Sequence, residues 1–247
     1  MKDQKPYGDL TALNTCRDIL DTVGKDTLQR VVSSFLELME TASAIYEIDG
    51  SYAAALFTSS FCKFLDTASQ RLCNTDNPIE ALQSGKWLCH ESCWTKASRI
   101  SIETGKPFDL KPCDGGINIY ALPIRAGERI IGSINFGYGE PPTDEKTINE
   151  LALKYKADKK ELLLAAKAYK HRPDYIINAA KKHLHVIAEL IGEIYVRKKS
   201  VEALREKLDE VERLNKLMVG RELKMGEMKK EIQNLKLKIR ELEVKKL

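Results

Sequence analysis

The sequence predicts a mixed α/β chain of the α+β kind: a small antiparallel sheet flanked by helices, followed by one long C-terminal helix. Three observations predict it. First, Asp49-Gly50 divides two short apolar runs, residues 43–48 and 52–57. An Asp-Gly step between such runs marks a hairpin, because glycine takes the positive φ that a tight turn demands. Second, three strand-like runs follow at about 107–111, 116–123 and 129–137, punctuated by Pro123 and by Ala126-Gly127-Glu128. Third, apolar residues recur at helical and then heptad spacing from Pro173 onward.

In chain order, residues 8–42 read as two helices. Leu10, Leu13, Ile19, Leu20 and Val23 share a face of the first, and Gly24 ends it. Leu28, Val31, Val32, Phe35, Leu38 and Met39 form the stripe of the second. After the hairpin, residues 60–73 are helical and 76–83 form a short helix or loop, and Gly85 breaks the chain. His90 to Thr104 is helical again and stops at Gly105-Lys106-Pro107. In the strands, Ile117, Ile119 and Ala121 alternate with polar residues, Pro123 ends the second strand, and Gly132 marks a bulge or a close backbone approach, for which a ligand is one candidate. Helices at about 143–155 and 158–170 precede Pro173, which opens the longest helix at a position where its missing N–H costs nothing. Three segments result: N-terminal helices over 1–42, the sheet-bearing domain with trailing helices over 43–172, and the long helix with its coiled-coil segment over 173–247.

In that last segment Val201, Leu204, Leu208, Val211, Asn215 and Met218 follow 3,4 spacing, as do Met228, Ile232, Leu235, Ile239 and Leu242. The two runs differ in phase, with Gly220 between them, so the pattern is a coiled coil with a discontinuity. A stripe on a charged helix of this length needs a partner, and a parallel homodimer with Asn215 fixing the register is expected.

The chain has 247 residues, 31% of them charged, and a formal net charge of +4. Residues 196–247 hold 16 Lys+Arg against 10 Asp+Glu, so the positive excess belongs to the long helix and not to a clustered basic face. That distribution, and the lack of a recognition motif, argue against nucleic-acid binding. No apolar run approaches the roughly 18 residues needed to cross a bilayer. The start, MKDQKPYGDL, has no apolar leader core. The expected location is the cytoplasm, where thiols stay reduced.

Reduced thiols matter because Cys62, Cys73, Cys89, Cys93 and Cys113 fall within about fifty residues, spaced C-x10-C-x15-C-x3-C-x19-C. Cys89 and Cys93 share a helix face, and Cys113 opens the loop Asp114-Gly115-Gly116. Four thiolates suit a zinc ion or an iron–sulfur cluster, while buried cysteines also serve as small hydrophobes. His90 is an alternative ligand but is read first as a helix-surface histidine, and His183 and His185 are read as structural. Tyr120, Phe136 and Tyr138 on the strands, with Trp87, are the candidates to line a small-molecule pocket. No Ser-His-Asp set, no HExxH and no carboxylate pair is present, so the chain is not expected to be an enzyme. A nucleophilic Cys113 ranks last among the readings.

Phe61-Cys62, Cys73, Cys89-His-Glu-Ser-Cys93-Trp94, Cys113-Asp-Gly-Gly-Ile117, Pro123-Ile124, Gly132 and Gly137-Tyr138-Gly139 together resemble the PocR-type sensory ligand-binding domain. The resemblance covers roughly residues 25–140, with the helices to about 195 as an extension. One departure stands out: the family's Cys-His-Ala-Gly element is Cys113-Asp114-Gly115-Gly116 here. The resemblance implies a PAS- or GAF-like fold, sensing of a small molecule of the hydrocarbon-derivative class such as a short diol, and a position upstream of a histidine kinase or another signalling output. The expected function is a sensor module that binds a small molecule in a Cys-rich pocket and signals through a dimeric coiled coil. The alternative is a redox or metal sensor whose cysteines hold the cluster or zinc.

Overall fold

The computed structural model describes residues 7–57 and 59–244. A single 3-10 turn (Leu10–Leu13) leads into α1 (Asp18–Val23) and α2 (Lys25–Met39). The junction is Gly24, at φ 92°, as the sequence predicts. Strands β1 (Ala42–Glu47) and β2 (Tyr52–Phe57) form the expected hairpin around Asp49-Gly50, with Gly50 also at φ 92°. Next come α3 (Ser60–Leu72), α4 (Pro78–Gln83) and α5 (Leu88–His90). The chain runs from α5 through a π-helical segment (Glu91–Ser98) into α6 (Arg99–Thr104). Strands β3 (Phe108–Leu110), β4 (Asn118–Ala126) and β5 (Arg129–Tyr138) follow, then α7 (Glu145–Tyr155), α8 (Lys159–Lys167) and α9 (Asp174–Val244). Residues 1–6, 58 and 245–247 lie outside the described residues. So do the side chains of Phe35, Leu38, Ile239 and Leu242.

The five strands form one antiparallel sheet in the order β2-β1-β5-β4-β3. Side chains alternate across it. Tyr120, Leu122 and Ile124 of β4, with Ile134, Phe136 and Tyr138 of β5, pack with α1, α2 and the Ala180–Tyr195 stretch of α9 in the main core. Ile117, Ile119, Ala121, Asn135 and Gly137 face the other way, toward α3, the π segment and α7.

Two local expectations change. Pro123 does not end β4, which continues to Ala126; β3 pairs only with residues 119–121, so beyond that point β4 is an edge that tolerates a missing donor. The neighbour that excludes a side chain at Gly132 is β1, not a ligand: a Cβ there would lie 2.1 Å from the Tyr46 carbonyl oxygen and 2.6 Å from Ile19 Cδ1. As the sequence predicts, the long helix is continuous, and α9 runs through Gly220 without a break.

Helix α1 has no cap of its own, since the Arg17 side chain makes no capping bond. Glu47, fully buried at the end of β1, supplies it: its carboxylate accepts from the Ile19 and Leu20 amides, both at 2.9 Å. Burial pushes the Glu47 carboxyl up despite those two bonds. The chain divides into two compact units, residues 1–198 and 199–247. In the second, Leu204, Leu208, Val211, Met218, Ile232 and Leu235 are all more than half exposed.

Candidate functional site

Four of the five clustered cysteines meet at one chamber. Cys62 of α3, Cys89 of α5, Cys93 of the π segment and Cys113 of the loop before β4 line a cavity of about 50 Å³. Cys73, the fifth, is elsewhere: its thiol donates to the Ser69 and Ala81 carbonyls, and it packs with Ala81 and Trp87. The rest of the wall mixes apolar groups from the sheet (Ala42, Ala44, Ile117, Ile119, Gly137) with the polar groups of Tyr46, Tyr52, Asp66, His90, Ser92, Asn135 and Tyr155.

The π segment positions the cysteine side of this wall. Widening the turn frees backbone carbonyls from the usual i→i+4 ladder, a geometry often found at functional sites. Here the Cys93 carbonyl accepts from Asn135 Nδ2 at 3.1 Å, and the same amide donates to Ser98 Oγ at 2.9 Å. Ser92 Oγ donates to Asp114 Oδ2 at 2.8 Å. Asp114 also accepts from Lys96 and from Lys154 of α7, each at 2.6 Å. The residue that departs from the family pattern is thus a structural clasp, tying the Cys113 loop to two helices. Burial works to raise its carboxyl, and the bonds from Lys154, Lys96 and Ser92 more than reverse that, holding it below the usual range.

The thiols, the histidine and the tyrosines of the chamber are held neutral, while Asp66, raised by burial to about 6, is ionised at pH 7.5. Burial pushes the Cys62 thiol up to about 12, and raises those of Cys89, Cys93 and Cys113 as well. Protonated thiols are weak nucleophiles, which counts against catalysis by Cys113. His90 is buried, not on a helix surface; burial lowers it to about 4, and its Nδ1 lies 2.9 Å from the Tyr52 hydroxyl. As a neutral ring it accepts from Tyr52, which accepts in turn from Tyr46 at 3.2 Å. Tyr155 is different. It is 1% exposed, and its hydroxyl is the one buried side-chain oxygen or nitrogen, among the described residues, with no hydrogen-bond partner. Burial raises its pKa, and the Cys89 thiol beside it adds to the shift.

The aromatic candidates lie elsewhere. Tyr120, Phe136 and Tyr138 alternate with the cavity-facing residues of β4 and β5 and so meet α9 instead. Lys181 of α9 stands 4.8 Å from the Tyr120 ring centroid and 4.1 Å from that of Tyr138, while pairing with Asp109 at 2.8 Å. Tyr138 donates to the same Asp109 carboxylate, and the Tyr120 hydroxyl lies 3.1 Å from His185 Nε2. Trp87 is buried on the outer side of Asp66, to which its Nε1 donates at 2.7 Å. The chamber residues missed in the sequence were Tyr46, Tyr52, Asp66, His90, Asn135 and Tyr155. The available signal was the pairing of β1 with β5, which places Ala44 opposite Asn135.

The cysteines were also expected to suit zinc or an iron–sulfur cluster. Among the described residues no group of three or more Cys, His, Asp or Glu is arranged to hold a metal ion. No helix of the described residues is long and apolar enough to cross a membrane.

Fold and chamber together define an α+β domain with a small cysteine- and tyrosine-lined cavity on one sheet face and the Ala180–Tyr195 stretch of α9 on the other. Residues 21–195 match the family described as the sensory domain found in PocR, and the chain belongs to that family. No curated protein matches the chain significantly.

Proposed function

We propose that the chamber binds a small uncharged polar molecule, a short diol being the best fit, and that its occupancy biases a dimer formed through α9. The observation that carries this reading is the Tyr155 hydroxyl. An unpaired buried hydroxyl costs about 1–3 kcal/mol, which a ligand oxygen in the chamber would recover. No Lys or Arg lines the chamber, which disfavours an anionic guest, and roughly 50 Å³ is room for a few heavy atoms only. Membership of a sensory family supports a binding role over a catalytic one.

The exposed stripe of α9 supports the homodimer, because heptad positions left bare in one chain are covered in two. In this reading the dimer works in the cytoplasm and passes its state to a histidine kinase or another signalling partner. Calorimetric titration with ethane-1,2-diol, propane-1,2-diol and propane-1,3-diol tests the chamber, with lactate as the charged control. Tyr155→Phe should weaken the tightest diol by roughly tenfold, the worth of one hydrogen bond. Absence of heat and of any melting shift with all three diols would sink the proposal.

A second reading, a redox or metal sensor, is favoured by one fact: four thiols line the same chamber. Iron, sulfide and zinc analysis of protein purified without air decides it, and a colourless, metal-free protein ends it.

A further inference from the structure

A second hollow lies outside the chamber wall. It is a cleft of about 380 Å³ between the N-terminal strap (Tyr7–Thr11), α2, the edge strand β2 and α3. Asp66 and Tyr52 line both hollows and so form the partition between them. Asp66 is only 8% exposed, and its two partners are neutral: Trp87 Nε1 at 2.7 Å and Gln70 Nε2 at 2.8 Å. It has no ion pair among the described residues. A carboxylate offers about four acceptor positions, so two remain free. Around it the cleft presents three aromatic residues. Tyr52 and Trp87 are buried, and the ring of Tyr7 lies 5.4 Å from that of Trp87, held there by its hydroxyl bond to the Thr75 carbonyl at 2.8 Å.

A buried carboxylate without a counter-ion is costly, and aromatic faces attract cations. We propose that this cleft is a binding site for a small organic ammonium ion, whose charge meets Asp66 and whose alkyl groups lie against Tyr7, Tyr52 and Trp87. The site lies on the outer side of the partition that Asp66 and Tyr52 form with the chamber. Two lysines share the cleft. Lys25 of α2 is paired with Asp9 of the strap, and Lys63, one helical turn before Asp66 on α3, is exposed and makes no pair with it. A ligand cation entering beside Asp66 takes the place that Lys63 leaves empty.

The titration of Asp66 supplies an independent readout. Burial raises its carboxyl to about 6, so the site is charged at pH 7.5 and largely neutral at pH 5. The other ionisable groups facing the partition do not change between those values. Asp9 is held low by its bonds from Lys25 and Thr11, His90 titrates at about 4, and the Tyr7 and Tyr52 hydroxyls and the Cys62, Cys89 and Cys93 thiols are raised.

The test uses three molecules of one shape on the full chain: choline, its uncharged carbon analogue 3,3-dimethylbutan-1-ol, and the anion 3,3-dimethylbutanoate. Binding is followed by calorimetry and, in a Trp94→Phe background, by Trp87 fluorescence. Choline is expected to bind roughly tenfold or more tighter than the alcohol at pH 7.5. That preference should shrink at pH 5 and vanish in Asp66→Asn, which keeps an acceptor for Trp87. Equal binding of choline and the alcohol overturns the proposal, as does a preference that survives Asp66→Asn. Tighter binding of the anion also overturns it, assigning the cleft to Lys25 and Lys63 instead. Wild-type data at the two pH values decide the matter even if the variant does not fold.

Discussion

Replacing Asp66 by asparagine isolates the energetic cost of one buried carboxyl. In the folded chain burial raises this group from about 3.8 to about 6, against the opposing bonds from Trp87 and Gln70. A folded-state pKa above the unfolded value means that the folded protein holds its proton more tightly. The group's contribution is therefore fully favourable below about pH 3.8 and is lost as pH rises through about 6. Two units at 1.36 kcal/mol each amount to about 3 kcal/mol at pH 7.5. Asparagine keeps the oxygen that accepts from Trp87 and carries no charge, and the Gln70 amide turns over to offer its oxygen to the new NH2. The assay is guanidinium unfolding followed by tryptophan fluorescence, on both proteins at pH 4 and at pH 7.5. All other titrating groups are common to the pair and cancel in the difference. The variant should match the wild type within about 1 kcal/mol at pH 4, the size of one neutral hydrogen bond. It should be more stable by about 3 kcal/mol at pH 7.5, or about 6–12 °C in melting temperature for a unit of this size. A difference that stays constant between the two pH values would refute the reasoning.

Glu47→Ala removes both acceptors from the start of α1 and should cost about 2–3 kcal/mol by the same unfolding assay, whereas Glu47→Gln, which retains one, should cost less. Gly192→Ala would place a Cβ 1.8 Å from the Arg125 carbonyl oxygen, so α9 must shift away from the sheet. A loss of at least about 2 kcal/mol is expected, and an unchanged melting temperature would contradict that close approach. Asn215→Leu should tighten the α9 dimer and loosen its register. Sedimentation equilibrium of the wild type and the variant measures the first, and a wild type that stays monomeric at micromolar concentration removes the dimer altogether.

The elements of the fold were legible wherever the cause was local. Gly24, Asp49-Gly50 and Pro173 set their boundaries through backbone geometry that depends on those residues alone. Pro123 misled because its effect depends on whether a neighbouring strand needs its N–H, and β3 stops short of it. The chamber was half legible. Four cysteines were identified, but the sequence pattern could not separate Cys73 from them, since one helix can send its two ends into different clusters. Alternation showed that Tyr120, Phe136 and Tyr138 share a face without showing which helices cover it. The π segment leaves little trace in hydrophobic periodicity over eight residues, and His90 seemed exposed only because a regular helix was assumed. Asp66 and Tyr155 were invisible as site residues because their importance lies in missing partners, which only three dimensions reveal.

The alternation of β4 and β5 has a consequence for how such a domain can diversify. Ile119 and Asn135 look into the chamber, while their chain neighbours Tyr120 and Phe136 belong to the core shared with α9. In the proposed reading, guest preference and output contact are thus written in the same two short stretches of chain, on interleaved positions one peptide apart. A substitution at one set changes the chamber wall and leaves the other surface in place. The strands therefore let the receptor end be retuned without redrafting the transmitter.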